Sequence, residues 1–505
     1  MKGCSLNYLI CFFNMKHILF LLLLALVASK TTAANSTDSS MHYTVNLDTI
    51  GKYLNVELEY TSTASSSDLL LKMPVWAPGY YMIQNFPKHL CDFSATDSDG
   101  RSIKWTKEGK NGWRIAVPGN GKVKVQYRIF ADEYDVASSR IDSKAAFIAP
   151  NGVFMYEEGK KDIPVTVSYN VPSNWQSVST GLVADNCKHY TYTSPNFDVL
   201  YDSPLLMGNH LVKKFKHEGH DYELALETPD GFEESEFEDS FRKIVSTATQ
   251  IIQDVPYTNY TLIHMGKGLG GLEHLNSQAC YTDGSFRFDD RKAWLNYLAF
   301  TAHEYFHLYN VKTIRPIELG PFDYDREVFT PLLWFSEGIT CYYEAQILHR
   351  AGLATEAEMY ELISKYMRMD EPYEGHHHQS LRQTSYDIWL TFLNEDKNNK
   401  DVIINYYFRG PVVGLIMDIE LQRLSNKKRS LDDLMRLLYR RYHKEQGRGF
   451  TEEEFWAAVD EVAGASMSHI RYIVDNPVDI DYEHYLTPAG LTIDRTTWTI
   501  SPRSK

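Results

Sequence analysis

The chain has 505 residues, of which 43% are hydrophobic and 13% aromatic, which is enough for more than one substantial core and excludes a disordered protein. A formal net charge of -15, with no long basic run to offset it, removes any general attraction to phosphate backbones or anionic membranes, so no nucleic-acid partner is expected. The six cysteines are widely spaced and include no CxxC pair, which excludes a disulfide scaffold.

Residues 1–34 read as a leader. Lys16 and His17 precede an apolar run from Ile18 to Ala28, and small and polar residues follow, the layout of a secretory signal peptide cleaved between Ala28 and Ala34. The expected address is therefore periplasmic or secreted. No permanent membrane anchor is expected, because this run is short for a bilayer span and no later segment approaches about twenty uninterrupted apolar residues. Of the cysteines beyond the leader, Cys91, Cys187, Cys280 and Cys341 are expected as isolated thiols.

Residues 35–227 alternate with a period of two, as in Leu54-Asn-Val-Glu-Leu-Glu-Tyr60, in Val123, Val125, Tyr127 and Ile129, and in Val165-Thr-Val-Ser-Tyr169. Such runs are half-buried strands, and turn clusters at Asp97-Ser-Asp-Gly100 and Pro118-Gly-Asn-Gly121 predict an antiparallel β-domain. After Thr228-Pro-Asp-Gly231 the pattern becomes helical, which places a boundary near residue 228, a catalytic region over 228–400 and a helical C-terminal part over 401–505. Thr355 with Glu358 and Thr451 with Glu454 form capping boxes, and Phe450 with Phe455 forms a hydrophobic staple around the second. A small strand section is expected around Tyr260 to Tyr281. The fold class is α+β.

The segment from Ala293 to Leu308 lacks Gly and Pro and reads as one helix. On it His303 and His307 lie four apart, so both imidazoles leave one face within reach of a single Zn²⁺, while Glu304 reaches a metal-bound water as general base. A catalytic zinc needs a third protein ligand. Glu337 is the candidate, because Thr330 as N-cap and Pro331 at the first helical position open a second helix that carries it. Asp323, Asp325 and Glu327 rank below it, since they sit in a polar connection with no rigid element to aim them. Cys341 reads as core and His376-His-His378 as a solvated loop. Gly266 to Gly271, including Gly270 and Gly271, offers backbone that a peptide substrate can approach closely.

These residues, with others along the chain, resemble the glycyl aminopeptidase family of gluzincin zinc metallopeptidases. Met73-Pro-Val-Trp-Ala-Pro-Gly-Tyr80 and Tyr201-Asp-Ser-Pro204 look like its β-domain signatures. Gly270-Gly-Leu-Glu-His274, His303-Glu-Tyr-Phe-His307, Trp334-Phe-Ser-Glu-Gly338 and Tyr406-Tyr-Phe-Arg-Gly410 follow in the family's order. The resemblance implies a thermolysin-like catalytic domain after the β-domain. Many relatives continue into a PDZ domain, for which too few residues follow Leu491.

By the same resemblance, Glu273 grips the substrate's free α-ammonium group and Tyr407 donates to the tetrahedral oxyanion, with Tyr406 an adjacent alternative. It also implies one Zn²⁺ per chain and peptide substrates with a free amino terminus and a small first residue, glycine or alanine. The expected activity is that of an exported zinc aminopeptidase. A zinc endopeptidase using the same site and a catalytically silent peptide-binding protein are the alternatives.

Overall fold

A computed structural model of the chain describes residues 41–503 apart from 62–67, 120, 186–188, 228–231, 283–287 and 392–398. The expected leader and Cys187 lie outside these residues, whereas Cys91, Cys280 and Cys341 are free thiols. Among the described residues no helix is long and apolar enough to cross a membrane.

The first half is built from strands whose side chains alternate between core and solvent, as in Tyr53–Thr61 and Lys122–Phe130, because a pleated strand sends successive side chains to opposite faces. Its largest sheet has six strands in the order Thr191–Ser194, Val165–Asn170, Met41–Asp48, Tyr53–Thr61, Lys122–Phe130 and Leu90–Thr96. Pairing is antiparallel except between Met41–Asp48 and Val165–Asn170, which run parallel. The expected purely antiparallel domain misses this pair, since strands so far apart in sequence need no tight hairpin between them. Two four-stranded sheets, one around Asp68–Lys72 and Gly112–Ala116 and one around Ala145–Ile148 and Leu205–Gly208, complete this half. A single helical turn, α1 (Phe197–Tyr201), is capped by the Asn196 side chain.

A five-stranded mixed sheet follows, in the order Leu211–His217, His220–Leu226, Asn259–Met265, Ser277–Tyr281 and Gly271–Glu273. His220–Leu226 and Asn259–Met265 pair in parallel, so the strands on either side of residue 228 share one sheet. The passage between the two halves therefore falls near residue 210, earlier than the change in periodicity marks it. Between those two strands runs α2 (Glu234–Ile252), whose Phe237, Phe241, Ile244 and Val245 pack into the core.

The rest is mainly helical: α3 (Arg291–Phe306), α4 (Ile339–Arg350), α5 (Glu356–Asp370), α6 (Leu381–Thr391), α7 (Tyr406–Leu424), α8 (Leu431–Leu438) and α9 (Glu452–Ala463). Both expected capping boxes are formed, and the Phe450 and Phe455 rings stack at 5.9 Å. The C-terminal part is not purely helical, since Leu491–Asp494 and Thr499–Pro502 form a hairpin.

The halves are joined through the strip Phe322–Asp325. Lys72 Nζ lies 2.6 Å from Asp325, Asn111 Nδ2 also donates to Asp325, and Trp76 Nε1 donates to the Asp323 carbonyl. Trp76 and Tyr81 both meet the edge of Trp389 on α6, at 5.2 and 6.2 Å. The residues Met73 to Tyr81 are thereby carried onto the helical half.

Within that half, Gly338 and Gly410 touch backbone to backbone. A Cβ on Gly338 would lie 2.5 Å from Gly410 Cα, and one on Gly410 would lie 2.6 Å from Gly338 Cα. Neither backbone can yield without moving a helix. Gly338→Ala and Gly410→Ala are therefore each expected to cost about 1–3 kcal/mol by overpacking, read as an earlier denaturant midpoint. Gly119→Ala, at a position with nothing within 4 Å, should leave the midpoint unchanged.

Candidate active site

His303 lies in the last turn of α3, and His307 caps the helix, donating its amide to the His303 carbonyl. The Asp290 side chain opens α3 by accepting from the amides of Lys292 and Ala293. The two Nε2 atoms lie 2.9 Å apart. His307 Nδ1 meets the Asn310 carbonyl at 2.7 Å, and His303 Nδ1 meets Glu344 Oε2 at 3.2 Å. Both Nδ1 atoms thus face an acceptor and carry the proton, so both Nε2 lone pairs point at one spot.

Glu337 supplies the third group, with Oε2 3.2 Å from His307 Nε2 and 3.8 Å from His303 Nε2. It does not sit on the regular α-helix expected from Thr330 and Pro331. Trp334–Gly338 form a π turn that runs straight into α4. Groups outside the helix satisfy the widened ladder: Asn310 Nδ2 donates to the carbonyls of Phe335 and Ser336, and the Trp334 amide donates to Ser385 Oγ. Asn310 thus fastens the end of α3 to the turn that carries Glu337. Tyr81, from the β-rich half, donates to Glu337 Oε1 at 3.4 Å.

Three acceptors meeting at such distances repel one another unless a cation lies between them. The electrostatics point the same way. Glu273, Glu304, Glu337 and Glu344 are 4%, 5%, 2% and 3% exposed, and the buried cation beside them is Lys312, 4.0 Å from Glu273. Burial above all, reinforced by the neighbouring carboxylates and opposed by His307, drives the Glu304 carboxyl well above its usual range. Burial works against an imidazolium at His307, yet Glu337, Glu273 and Glu304 outweigh it and push the ring up to about 10. Burial likewise opposes ionisation of Glu337, but the two histidines hold it below the ordinary value. A cation at that spot would take the place of the His307 proton: two imidazoles with a carboxylate are a donor set suited to Zn²⁺, and a divalent ion would offset the surplus negative charge.

One cavity of about 130 Å³ is lined by Gly79, Tyr80, Leu269, Gly270, Gly271, Glu273, His303, Glu304, His307, Glu337 and Tyr407. Every predicted site residue is therefore on one wall or another of it. Gly271 has to be glycine, because a Cβ there would collide with the Glu304 carboxylate and lie 2.6 Å from Phe300 Cζ. Gly79 serves Glu273 in the same way, with φ +88 and a Cβ position 2.7 Å from Glu273 Oε1. Tyr407 faces the cavity, its ring centroid 6.4 Å from that of His303, whereas Tyr406 is fully buried in the core. Burial first, and then the Glu337 charge, raise the Tyr407 phenol well above its ordinary value, so it remains a neutral donor.

The lower-ranked candidates lie elsewhere. Asp323 and Asp325 are occupied at the joint between the halves, Asp325 with Lys72 and Asp323 with Arg326. Cys341 Sγ is 3.6 Å from His303, but at Nδ1, on the far side of the ring from Nε2. Sequence reasoning misses Glu344, which orients His303 and itself accepts from Tyr366 at 2.7 Å. Its signal is its place seven residues after Glu337, two turns on along one helical face. Lys312 is also missed: it is buried between Asp202, 2.8 Å away, and Glu273, and Asp202 also meets His274 Nδ1 at 3.0 Å.

Residues 42–209 match the Peptidase M61 N-terminal domain, and residues 296–413 match the M61 glycyl aminopeptidase domain. Among solved structures, the chain is similar to an aminopeptidase N family protein from Idiomarina loihiensis, with 26% identity, 90% of this chain and 79% of that chain covered, and a TM-score of 0.84. At the level of fold alone it is similar to a mutant M1 zinc metallopeptidase from Deinococcus radiodurans bound to a Tyr-Ser-Ala substrate, at 13% identity, 88% and 95% coverage and a TM-score of 0.53. A similar likeness, at 13% identity, 87% and 49% coverage and a TM-score of 0.53, links it to Legionella pneumophila aminopeptidase A in complex with aspartic acid. No curated protein sequence matches it. The chain belongs to the M61 glycyl aminopeptidase family of metallopeptidases.

Proposed function

We propose that the chain is an exported aminopeptidase that holds one Zn²⁺ on His303, His307 and Glu337 and releases small N-terminal residues from peptides. The observation that carries the reading is the meeting of two Nε2 lone pairs and the Glu337 carboxylate in the cavity that also contains Glu304, Glu273 and Tyr407. Export rests on the leader pattern of the first 34 residues.

Held by His303, His307 and Glu337, a Zn²⁺ would supply Lewis acidity toward the substrate carbonyl and lower the pKa of water. Glu304 takes a proton from the attacking water and passes it to the leaving amine. Gly271, pressed against this carboxylate, limits where it can swing. Tyr407, kept neutral by burial, donates to the oxygen on which charge develops. Glu344 and the Asn310 carbonyl hold the histidine rings in the tautomer that presents Nε2. Glu273 receives the substrate ammonium, with Gly79 and Tyr80 closing the wall beside it. The preference for a small first residue rests on the family to which the chain belongs.

The nearness of Lys312 to Glu273 favours a second reading, an endopeptidase in which Glu273 serves only to balance a buried lysine. Asp202 argues for the first, since it lies closer to Lys312, at 2.8 Å, and leaves the Glu273 charge available.

Glu304→Gln keeps the shape of the side chain and removes the base, so kcat should fall by about 10²–10⁴ with the protein's fold and metal content unchanged. Steady-state kinetics and elemental analysis of the same sample check this, and near-normal turnover would sink the mechanism.

Glu273→Ala should lower kcat/KM on a glycyl peptide roughly tenfold to a hundredfold, the loss of one charged hydrogen bond worth about 1.5–3 kcal/mol. Acetylating the substrate should cost the wild type at least as much and the variant little more, because both changes remove the same contact. Additive losses in this double cycle would instead favour the endopeptidase.

A further inference from the structure

Outside the residues that line the catalytic cavity, at the approach to α7, a second set of ligating atoms meets. His376 and His377 lie on the 3₁₀ turn Glu374–His377 and aim their Nε2 atoms at one oxygen, Asp479 Oδ1, at 3.2 and 2.9 Å. Asp479 arrives about a hundred residues later, in the loop between α-helical segments at Ser468–Asp475 and Tyr482–Leu486. The three ligand atoms all lie within 4.8 Å of one another.

Two details distinguish this cluster from a chance surface contact. The His377 ring faces carboxylates through both nitrogens, since Nδ1 is 2.8 Å from Glu374 Oε2. A neutral imidazole has one N–H, so with Glu374 as its acceptor the Nε2 lone pair is turned on the Asp479 oxygen, an arrangement that a cation between them resolves. A carboxylate behind a histidine, fixing its tautomer, is also the usual outer support of a metal ligand. His376, for its part, is 5% exposed and its Nδ1 has no partner, so the contact at Nε2 is the polar interaction its burial preserves.

We propose that His376, His377 and Asp479 form a second, structural site for a late first-row divalent cation such as Zn²⁺. Two imidazoles with one carboxylate suit such ions better than Mg²⁺ or Ca²⁺, which favour all-oxygen sets. Bonds of about 2.0–2.2 Å in a tetrahedron place ligand atoms roughly 3.3 Å apart, near the 3.2 and 2.9 Å that separate the two Nε2 atoms from Asp479 Oδ1. The Asp479 side chain is 75% exposed, which leaves room for water to complete the coordination.

The site lies where such an ion braces the start of α7. Gly375, inside the turn, packs against the carbonyls of Ile403 and Lys400, at the approach to that helix. Val478, next to Asp479, accepts from Arg409 at 2.6 Å, and Arg409 also pairs with Asp370 at 3.0 Å. Arg409 stands two residues after Tyr407. An ion joining the turn to the Asp479 loop ties down both supports of this helix end.

Calorimetric titration of the purified full chain with ZnCl₂ tests the proposal, alongside His377→Ala and Asp479→Asn. The wild type should take up one zinc equivalent that each variant binds at least tenfold more weakly, and zinc should raise the wild-type Tm by more than that of either variant. Peptidase activity of the variants, purified with zinc in the catalytic cavity and assayed without added zinc, should match that of the active wild type, which shows that they fold. Because the readout is a difference between wild type and variants, it does not depend on what the catalytic cavity holds. Zinc uptake and affinity unchanged in either variant, or no wild-type uptake that the variants lose, would overturn the proposal.

Discussion

The site depends on the contact between Gly338 and Gly410, at which the π turn before α4 and the first turns of α7 approach with no side chain between them. Gly338 follows Glu337, and Gly410 follows Tyr407 by three residues, so closing this contact brings carboxylate and phenol to one cavity. Gly414, one turn further on, continues the close approach against Ile339 and Tyr342. Trp334 and Phe335 pack on the other side against Phe455, which leaves the turn no direction in which to relax. Residues that form the cavity are thus positioned by residues that never enter it.

The second constraint is charge. Placing Glu273, Glu304, Glu337 and Glu344 out of water in one region is unfavourable by several kcal/mol per ion unless each finds a partner. Glu344 has His303 and Tyr366, Glu337 has His307 and Tyr81, and Glu273 has Lys312 nearby. Glu304 has Gly271 against it, and burial drives its carboxyl upward, the condition that lets a carboxylate accept a proton near neutral pH. The arrangement therefore separates Glu337 and Glu344, whose partners hold them below the ordinary carboxylate value, from Glu304, whose affinity for a proton is raised.

Local signals explain most of what is legible in the sequence. Half-buried strands such as Tyr53–Thr61 show their alternation directly, and the capping boxes at Thr355 and Thr451 need only residues three apart. The catalytic helix reads from His303 and His307, although the structure starts it at Arg291 and ends it at Phe306, against the expected span 293–308. Features made by distant contacts are not legible. The π turn needs Asn310 and Ser385 to complete its hydrogen bonds, and no pattern within Trp334–Gly338 announces it. Lys312 carries no local signal of its burial, which comes from Asp202 of the β-rich half beside it. The strands at Leu211–Leu226 alternate like those before them, and only their pairing with Asn259–Met265 assigns them to the later sheet.

Under the proposed function, His303, His307 and Glu337 together bind one ion. Elemental analysis of protein dialysed against a weak chelator tests this directly, comparing wild type with Glu337→Ala and Asp325→Ala. Glu337→Ala is expected to hold one zinc per chain fewer than the wild type, whereas Asp325→Ala, whose carboxylate belongs to the joint with Lys72, should hold as much as the wild type. A zinc content in Glu337→Ala equal to that of the wild type would contradict it, as would wild-type protein without zinc.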